Sequence, residues 1–234
     1  VLVLITFVAA TANGALGYGF SSITVPVALL FFTNRILNPA LVLIELVINA
    51  YVLFINRKSI PNVFWRVAPI LGGLAVGVGI GSYLLFLVQP AWIKFVTYLF
   101  LLPLILLQAA GIRKPIRAEK AIGVPFGVGL GTLYSLTTIS GPPLALLFNN
   151  QGYPKQDFRA ALGIIRLTES SRTAIAYGFI GFYSAGSMEI IPYIVPSVII
   201  GIPLGTYLIR LMDPETFRRI CMAFDGLIVG FGLS

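Results

Sequence analysis

Hydroxyls and charges are sparse in this chain, and they are not scattered. Thr137, Thr138 and Ser140 stand just before Gly141, Pro142 and Pro143 in "TLYSLTTISGPPLALLFNN", a stretch with apolar flanks. Ser21, Ser22 and Thr24 stand before Pro26 in "SSITVPVALLFF". Serine and threonine suit the cap of a helix and proline suits its first turn. Both stretches therefore read as starts of short helices, at Pro26 and at Pro143. The open amides of such an end, with the helix dipole, attract anions. The bland alternative is that these hydroxyls only cap helices and bond backbone. A second set comprises Glu45, Arg166, Glu169 and Arg172, with Asp225 a weaker fifth, all inside apolar blocks. Intramembrane charges are costly and usually face a bundle interior or a cavity. Arg166, Glu169 and Arg172 follow one another at i, i+3 and i+6, so Glu169 can pair with either arginine. One positive charge is then left over, which suits a bound monoanion. Glu45 and Glu169 are candidate carriers of a coupling proton. The competing explanation is an ion-pair network that only fixes helix register.

The surrounding composition says what these residues are embedded in. The chain has 234 residues, 58% of them hydrophobic and 10% charged, and a mean hydropathy of +0.95. The apolar material falls into blocks of roughly 18–25 residues, the length that crosses a bilayer as a helix. Period-2 alternation is lacking, which disfavours a membrane β-barrel. The expected class is an all-α polytopic membrane protein. Its net charge of +8 comes from bases clustered between the blocks, where they orient the chain rather than bind nucleic acid. There is no histidine and a single cysteine, Cys221, so no metal site, no cofactor and no intrachain disulfide is expected. Neither HExxH nor GxSxG occurs, and the reading is not an enzyme. The runs "GGLAVGVGIG" and "GVPFGVGLG" lack the strand and the lysine of a nucleotide loop. They read as close helix packing.

The elements repeat. "SSITVPVALLFF" aligns with "TISGPPLALLFN" at an offset of 117, placing Pro26 on Pro143. "GVGIGSYLLFLVQP" aligns with "GIPLGTYLIRLMDP" at an offset of 124, placing Gly77 on Gly201 and Gly81 on Gly205. The second offset also places Glu45 on Glu169. Each repeat reads as an interrupted, re-entrant segment (1–32; 119–149) followed by three spans (39–56, 65–88 and 91–111; 159–182, 189–211 and 216–233). The expected organisation is a first membrane repeat at 1–111, a linker at 112–120 and a second repeat at 121–234. Orientation follows from the bases. If both interrupted segments return to the side they started from, the halves are inverted. Arg57, Lys58, Arg66, Arg113, Lys114, Arg117, Lys120, Lys155, Arg159, Arg210, Arg218 and Arg219 then share one side, and only Arg35 and Lys94 lie opposite. Parallel halves would split them evenly. The positive-inside rule selects inversion, with "RKPIRAEK" cytoplasmic. Inverted repeats with broken helices are the plan of many secondary transporters.

"NGALGYGFSSITVPVALL", "TISGPPLALLF" and "FRAALGIIRL" with "AYGFIGF" resemble the TauE/SafE sulfite exporter family, also called the toluene sulfonate uptake permease family, over essentially the whole chain. The resemblance implies a multi-pass transporter of bacterial- or archaeal-type inner membrane, carrying sulfur-containing anions such as sulfite, sulfonates or sulfoacetate. Members differ in substrate and direction. The segment "IIRLTESSR" matches no family-wide motif, so its role rests on physics. The expectation is a secondary carrier working by alternating access, with an anion channel on the same scaffold as the alternative. Substrate would meet Ser21, Ser22, Thr24, Thr137, Thr138, Ser140, Gly141, Arg166 and Arg172, with Glu45 and Glu169 for coupling or ion pairing. The partners implied are a small anionic substrate and membrane lipid, with no nucleic acid, and the surface leaves room for a homodimer.

Overall fold

The computed structural model describes residues 2–89, 92, 93, 95, 119–213 and 216. Among them the fold is helical, with no strand: α1 (Leu2–Leu16), α2 (Phe20–Ala28), α3 (Asn34–Ile55), α4 (Ile60–Leu87), α5 (Glu119–Thr137), α6 (Gly141–Asn150), α7 (Lys155–Ile180) and α8 (Ala185–Arg210). Among the described residues three helical stretches, Asn34–Ile55, Arg57–Leu87 and Ala185–Arg210, are long and apolar enough to cross a membrane. With the shorter apolar helices Leu2–Leu16 and Ile122–Thr137 they make a multi-pass membrane protein. Apolar side chains such as Trp65, Phe179 and Ile199 cover the outside, as lipid requires. The expected spans 91–111 and 216–233, the linker 112–120, and Cys221 and Asp225 lie outside the described residues or nearly so.

Two close pairings organise the bundle, and both rest on small residues. A Cβ on Gly77 would stand 2.2 Å from the Val128 carbonyl oxygen, and one on Gly81 would stand 2.5 Å from that of Thr132. These contacts lock α4 to α5. On the other side, a Cβ on Gly201 would meet Ala10 and Phe7, and one on Gly205 would stand 1.9 Å from the Thr11 carbonyl oxygen. These lock α8 to α1. Glycine lets the backbones approach, and van der Waals contact replaces the hydrophobic drive that lipid cannot supply. In both pairs the residue numbers rise together, so each pair is parallel. By contrast α3 and α7 are antiparallel. Gly163 packs on Leu53, while Asn49 reaches the Arg166 carbonyl and the Ser170 hydroxyl further along α7.

The interruptions differ from the sequence expectation in one half. Pro26 lies inside α2 rather than at its start. The chain breaks instead at Gly17–Gly19, where Gly17 (φ 87°) and Gly19 (φ 107°) adopt a backbone that favours glycine. The second break lies where expected, with Pro142 and Pro143 in the first turn of α6. There the left-handed residue is Thr138 (φ 59°), a strained choice for a β-branched side chain. The two breaks are built alike: the Gly17 amide donates to the Asn13 carbonyl and the Thr138 amide to the Tyr134 carbonyl. That register is 121 residues, intermediate between the two segment offsets, and it sets Glu45 opposite Arg166 rather than Glu169. The first limb of the second break is longer than a half-helix. At 19 residues, α5 extends about 28 Å. The half-length elements are α2 and α6, of 9 and 10 residues. Asn150 and Gln151 at the end of α6 share a cleft with Ile122 and Gly123 near the start of α5, so this limb doubles back toward its origin.

Candidate functional site

The breaks meet. A Cβ on Gly141 would stand 2.7 Å from the Tyr18 ring, so the first residue of α6 packs directly against the centre of the α1–α2 interruption. Each long limb is fastened just before it breaks. Arg159 donates through Nη2 to the Gly14 carbonyl at 2.9 Å and through Nη1 to that of Ala15 at 3.1 Å. Asn38 Nδ2 donates to the Leu136 carbonyl at 2.8 Å, and the Tyr177 hydroxyl donates to that of Ser135. Helix ends leave carbonyls unsatisfied, and no lipid group can take them. These side chains are what allows the helices to stop inside the bundle.

Around the meeting point lies a buried polar cluster. Glu45 on α3 accepts from the Ser21 hydroxyl of α2 at 2.8 Å, from the Tyr134 hydroxyl of α5 at 2.7 Å and from Arg166 Nη2 of α7 at 2.5 Å. Both Glu45 and Arg166 are buried. One turn along α7, Glu169 Oε2 accepts from the Ser140 hydroxyl at 2.6 Å. So the two hydroxyls at the breaks, Ser21 and Ser140, each serve one buried carboxylate rather than a backbone cap. Arg166 pairs with Glu45 on the facing helix and not with Glu169 on its own. A guanidinium holds five donors in a fixed fork. Among the described residues, Nε and Nη1 of Arg166 have no partner, and neither does Glu169 Oε1.

The other sequence candidates distribute as follows. Ser22 and Thr24 are buried on α2, and the Thr24 hydroxyl has no partner among the described residues. Thr137 donates to the Leu133 carbonyl and accepts from the Ile139 amide, so it shapes the turn. Thr138 donates to the adjoining Thr137 carbonyl. Arg172 stands apart, donating to the Leu71 carbonyl of α4 at 2.7 Å. The amides also differ between the two ends: Pro142 and Pro143 carry no amide hydrogen, whereas Phe20, Ser21 and Ser22 bring three to the first turn of α2. Sequence reasoning missed Tyr134, Asn49, Asn38 and Asn13; the Asn13 amide is fully buried, with neither polar atom paired among the described residues. Buried amides are rare enough in an apolar block to have flagged the three asparagines. Among the described residues no group of histidine, cysteine or carboxylate side chains could hold a metal ion.

One family model matches, described as Sulfite exporter TauE/SafE, and it covers residues 2–231. Comparison with curated proteins and with solved structures returned no match. The family match runs over nearly all of the 234 residues, on a multi-pass helical fold with two broken elements. The chain belongs to the sulfite exporter TauE/SafE family, a family of membrane transporters for sulfur anions.

Proposed function

We propose that this protein is a secondary transporter of small sulfur-containing anions of the sulfite, sulfonate or sulfoacetate type. It works by alternating access between two inverted halves, 1–111 and 121–234, joined by the 112–120 linker, in a bacterial- or archaeal-type inner membrane. The observation that carries this reading is Arg166, a buried arginine whose Nε and Nη1, beside the two breaks, are unpaired among the described residues. Leaving charged donors unsatisfied costs free energy, and a fork of this kind matches two oxygens of an oxyanion. The free amides of α2, with Ser21 and Ser140, complete the shell. Glu45 balances the guanidinium when the site is empty of substrate. Glu169, with one oxygen unpaired, is the carboxylate that takes a coupling proton.

Inversion is supported by the antiparallel packing of α3 on α7, the corresponding helices of the two halves, and by the limb formed by α5 and α6 that doubles back. The exchanged pairings, α1 with α8 and α5 with α4, fit a two-fold relation. The test is a thermal-shift screen of sulfite, sulfate, sulfoacetate, taurine and thiosulfate on detergent-purified protein, since a ligand that binds only the folded state raises its stability. One of these anions should stabilise the parent, Arg166→Ala should abolish the response, and Arg166→Lys should restore part. A normal response in both variants overturns the assignment. Saturable uptake with counter-substrate exchange in proteoliposomes distinguishes a carrier from a channel.

A further inference from the structure

A second, separate concentration of positive charge lies away from the breaks. Lys58, Lys155, Arg159 and Arg210 line one cavity of about 350 Å³, with Gln156 and Thr206 among its other walls and no carboxylate among the described residues of its lining. The four cations come from four places in the chain: the turn before α4, the first turn of α7, the body of α7 and the last turn of α8. Such convergence is costly unless something offsets it, because like charges in a concave, partly apolar wall repel and the low dielectric focuses their field. Lys155 is partly offset by the Ile209 and Met212 carbonyls, to which its Nζ donates at 3.1 Å and 3.0 Å. Lys58 and Arg210 are exposed.

The cavity also leads somewhere. Arg159 is only 4% exposed, and its guanidinium grips the Gly14 and Ala15 carbonyls. Its Cγ would lie 3.6 Å from a Cβ on Gly17. Thr206, another wall, donates to the same Gly14 carbonyl at 3.2 Å. The carbonyl end of α1 therefore lies directly behind the wall formed by Arg159 and Thr206, and the Gly17–Gly19 break begins immediately beyond it.

We propose that this cavity is a second anion site, a vestibule that takes a small oxyanion from the basic face and delivers it toward the breaks. The delivery step rests on the transport reading above, but binding in the cavity does not. An oxyanion held by Lys58 and Arg210 competes with the Gly14 and Ala15 carbonyls for Arg159, which loosens the capped end of α1 as the anion arrives. The same chemistry would admit the phosphate of an anionic lipid headgroup, and the experiment separates the two.

The experiment places a single cysteine at Gln156, with Cys221 changed to serine, in the full-length protein. Reaction rates are measured with a sulfonate-bearing and an ammonium-bearing thiol reagent, with and without inorganic sulfate. The anionic reagent should react on the order of 10-fold faster than the cationic one, and sulfate should slow it. Lys58→Gln with Arg210→Gln, both at exposed positions, should bring the two rates together and remove the protection. In proteoliposomes the same pair should raise the half-saturating anion concentration several-fold and leave the maximal rate unchanged. Equal rates for the two reagents in the parent, or sulfate protection that survives the double change, overturns the site. Repeating the labelling in phosphatidylcholine alone and with phosphatidylglycerol identifies the occupant: protection by the lipid without sulfate marks a headgroup, and protection by sulfate alone marks the free ion. Arg166→Lys serves as the cross-check, because it should impair transport without altering labelling at Gln156. Normal transport in that variant alongside intact sulfate protection would remove the deep site and leave the vestibule standing.

Discussion

Glu45 takes hydrogen bonds from three other helices, so its charge is shared by α2, α5 and α7 together. Neutralising it should cost far more than a surface carboxylate would. Glu45→Gln leaves the Arg166 guanidinium buried with no counter-charge, and breaking a buried pair in this way typically costs about 3–5 kcal/mol. The expected result is a large drop in the melting temperature of the purified protein, partly recovered when Arg166→Gln is added. No recovery in the double variant would mean that Glu45 acts through Ser21 and Tyr134 and not through the pair. Glu169 behaves differently, since among the described residues one hydroxyl, that of Ser140, donates to it. Glu169→Gln keeps the shape and the Ser140 contact, so stability should change little, while uptake driven by a pH gradient should vanish and anion exchange should persist. A gradient response equal to the parent's removes the proton role. Rarity made these residues legible: a carboxylate or guanidinium inside an apolar block demands a reason. Who pairs with whom was not legible. Spacing on one helix allows Glu169 to pair with either arginine, but Arg166 pairs with Glu45 of the facing helix and Arg172 donates to the Leu71 carbonyl. Tyr134 passed unnoticed because tyrosine is common at span ends and packs readily without a special role.

Individual helices show where pattern reading works. The glycine runs were legible as packing surfaces, and the structure attaches each glycine to a particular partner. Gly77→Val should lower stability by about 3 kcal/mol, the upper end of overpacking costs, because the carbonyl it would strike belongs to rigid helical backbone. Gly79→Ala, two residues on, has nothing within 4 Å and should be neutral or slightly stabilising. Equal melting temperatures for the two variants would contradict the parallel α4–α5 contact. The breaks were half legible. Two adjacent prolines announce the start of α6, since they cannot continue a helix from its interior. In the first half Pro26 is the conspicuous residue in sequence, yet a lone proline in a short helix is tolerated, and the chain turns instead where two glycines permit positive φ. Thr138 occupies the corresponding place without that freedom. Thr138→Gly should therefore raise the melting temperature by relieving strain of roughly 1 kcal/mol. If the strained turn holds Ser140 toward Glu169, the same change should weaken anion binding.

For the molecule as a whole, the decisive quantity is which side each loop occupies. Two arrangements agree with the same apolar blocks. In one, each interrupted segment returns to its starting side and the halves are inverted. In the other, each crosses once and the halves are parallel. Charge counting chose the first from sequence, and several contacts argue in the same direction. Arg35 donates to the Phe86 carbonyl at the end of α4, and Lys155 donates to the Ile209 carbonyl at the end of α8. Each basic residue thus opens the helix after a broken limb and closes the end of a glycine-packed helix. Lys58, Lys155 and Arg210 share one cavity, so the turn before α4 lies at the same end of the bundle as the start of α7 and the end of α8. Arg35 marks the opposite end, because α3 and α4 both run the length of the molecule between them. Single cysteines at Lys58, Gln156 and Arg35, with Cys221 changed to serine, decide between the arrangements. In intact cells a membrane-impermeant thiol reagent should reach the Arg35 position only, and permeabilisation should expose the other two. The parallel arrangement requires Lys58 and Gln156 to label from opposite sides. That outcome would also undo alternating access as proposed, since two parallel halves cannot present the same site to the two sides by exchanging conformations.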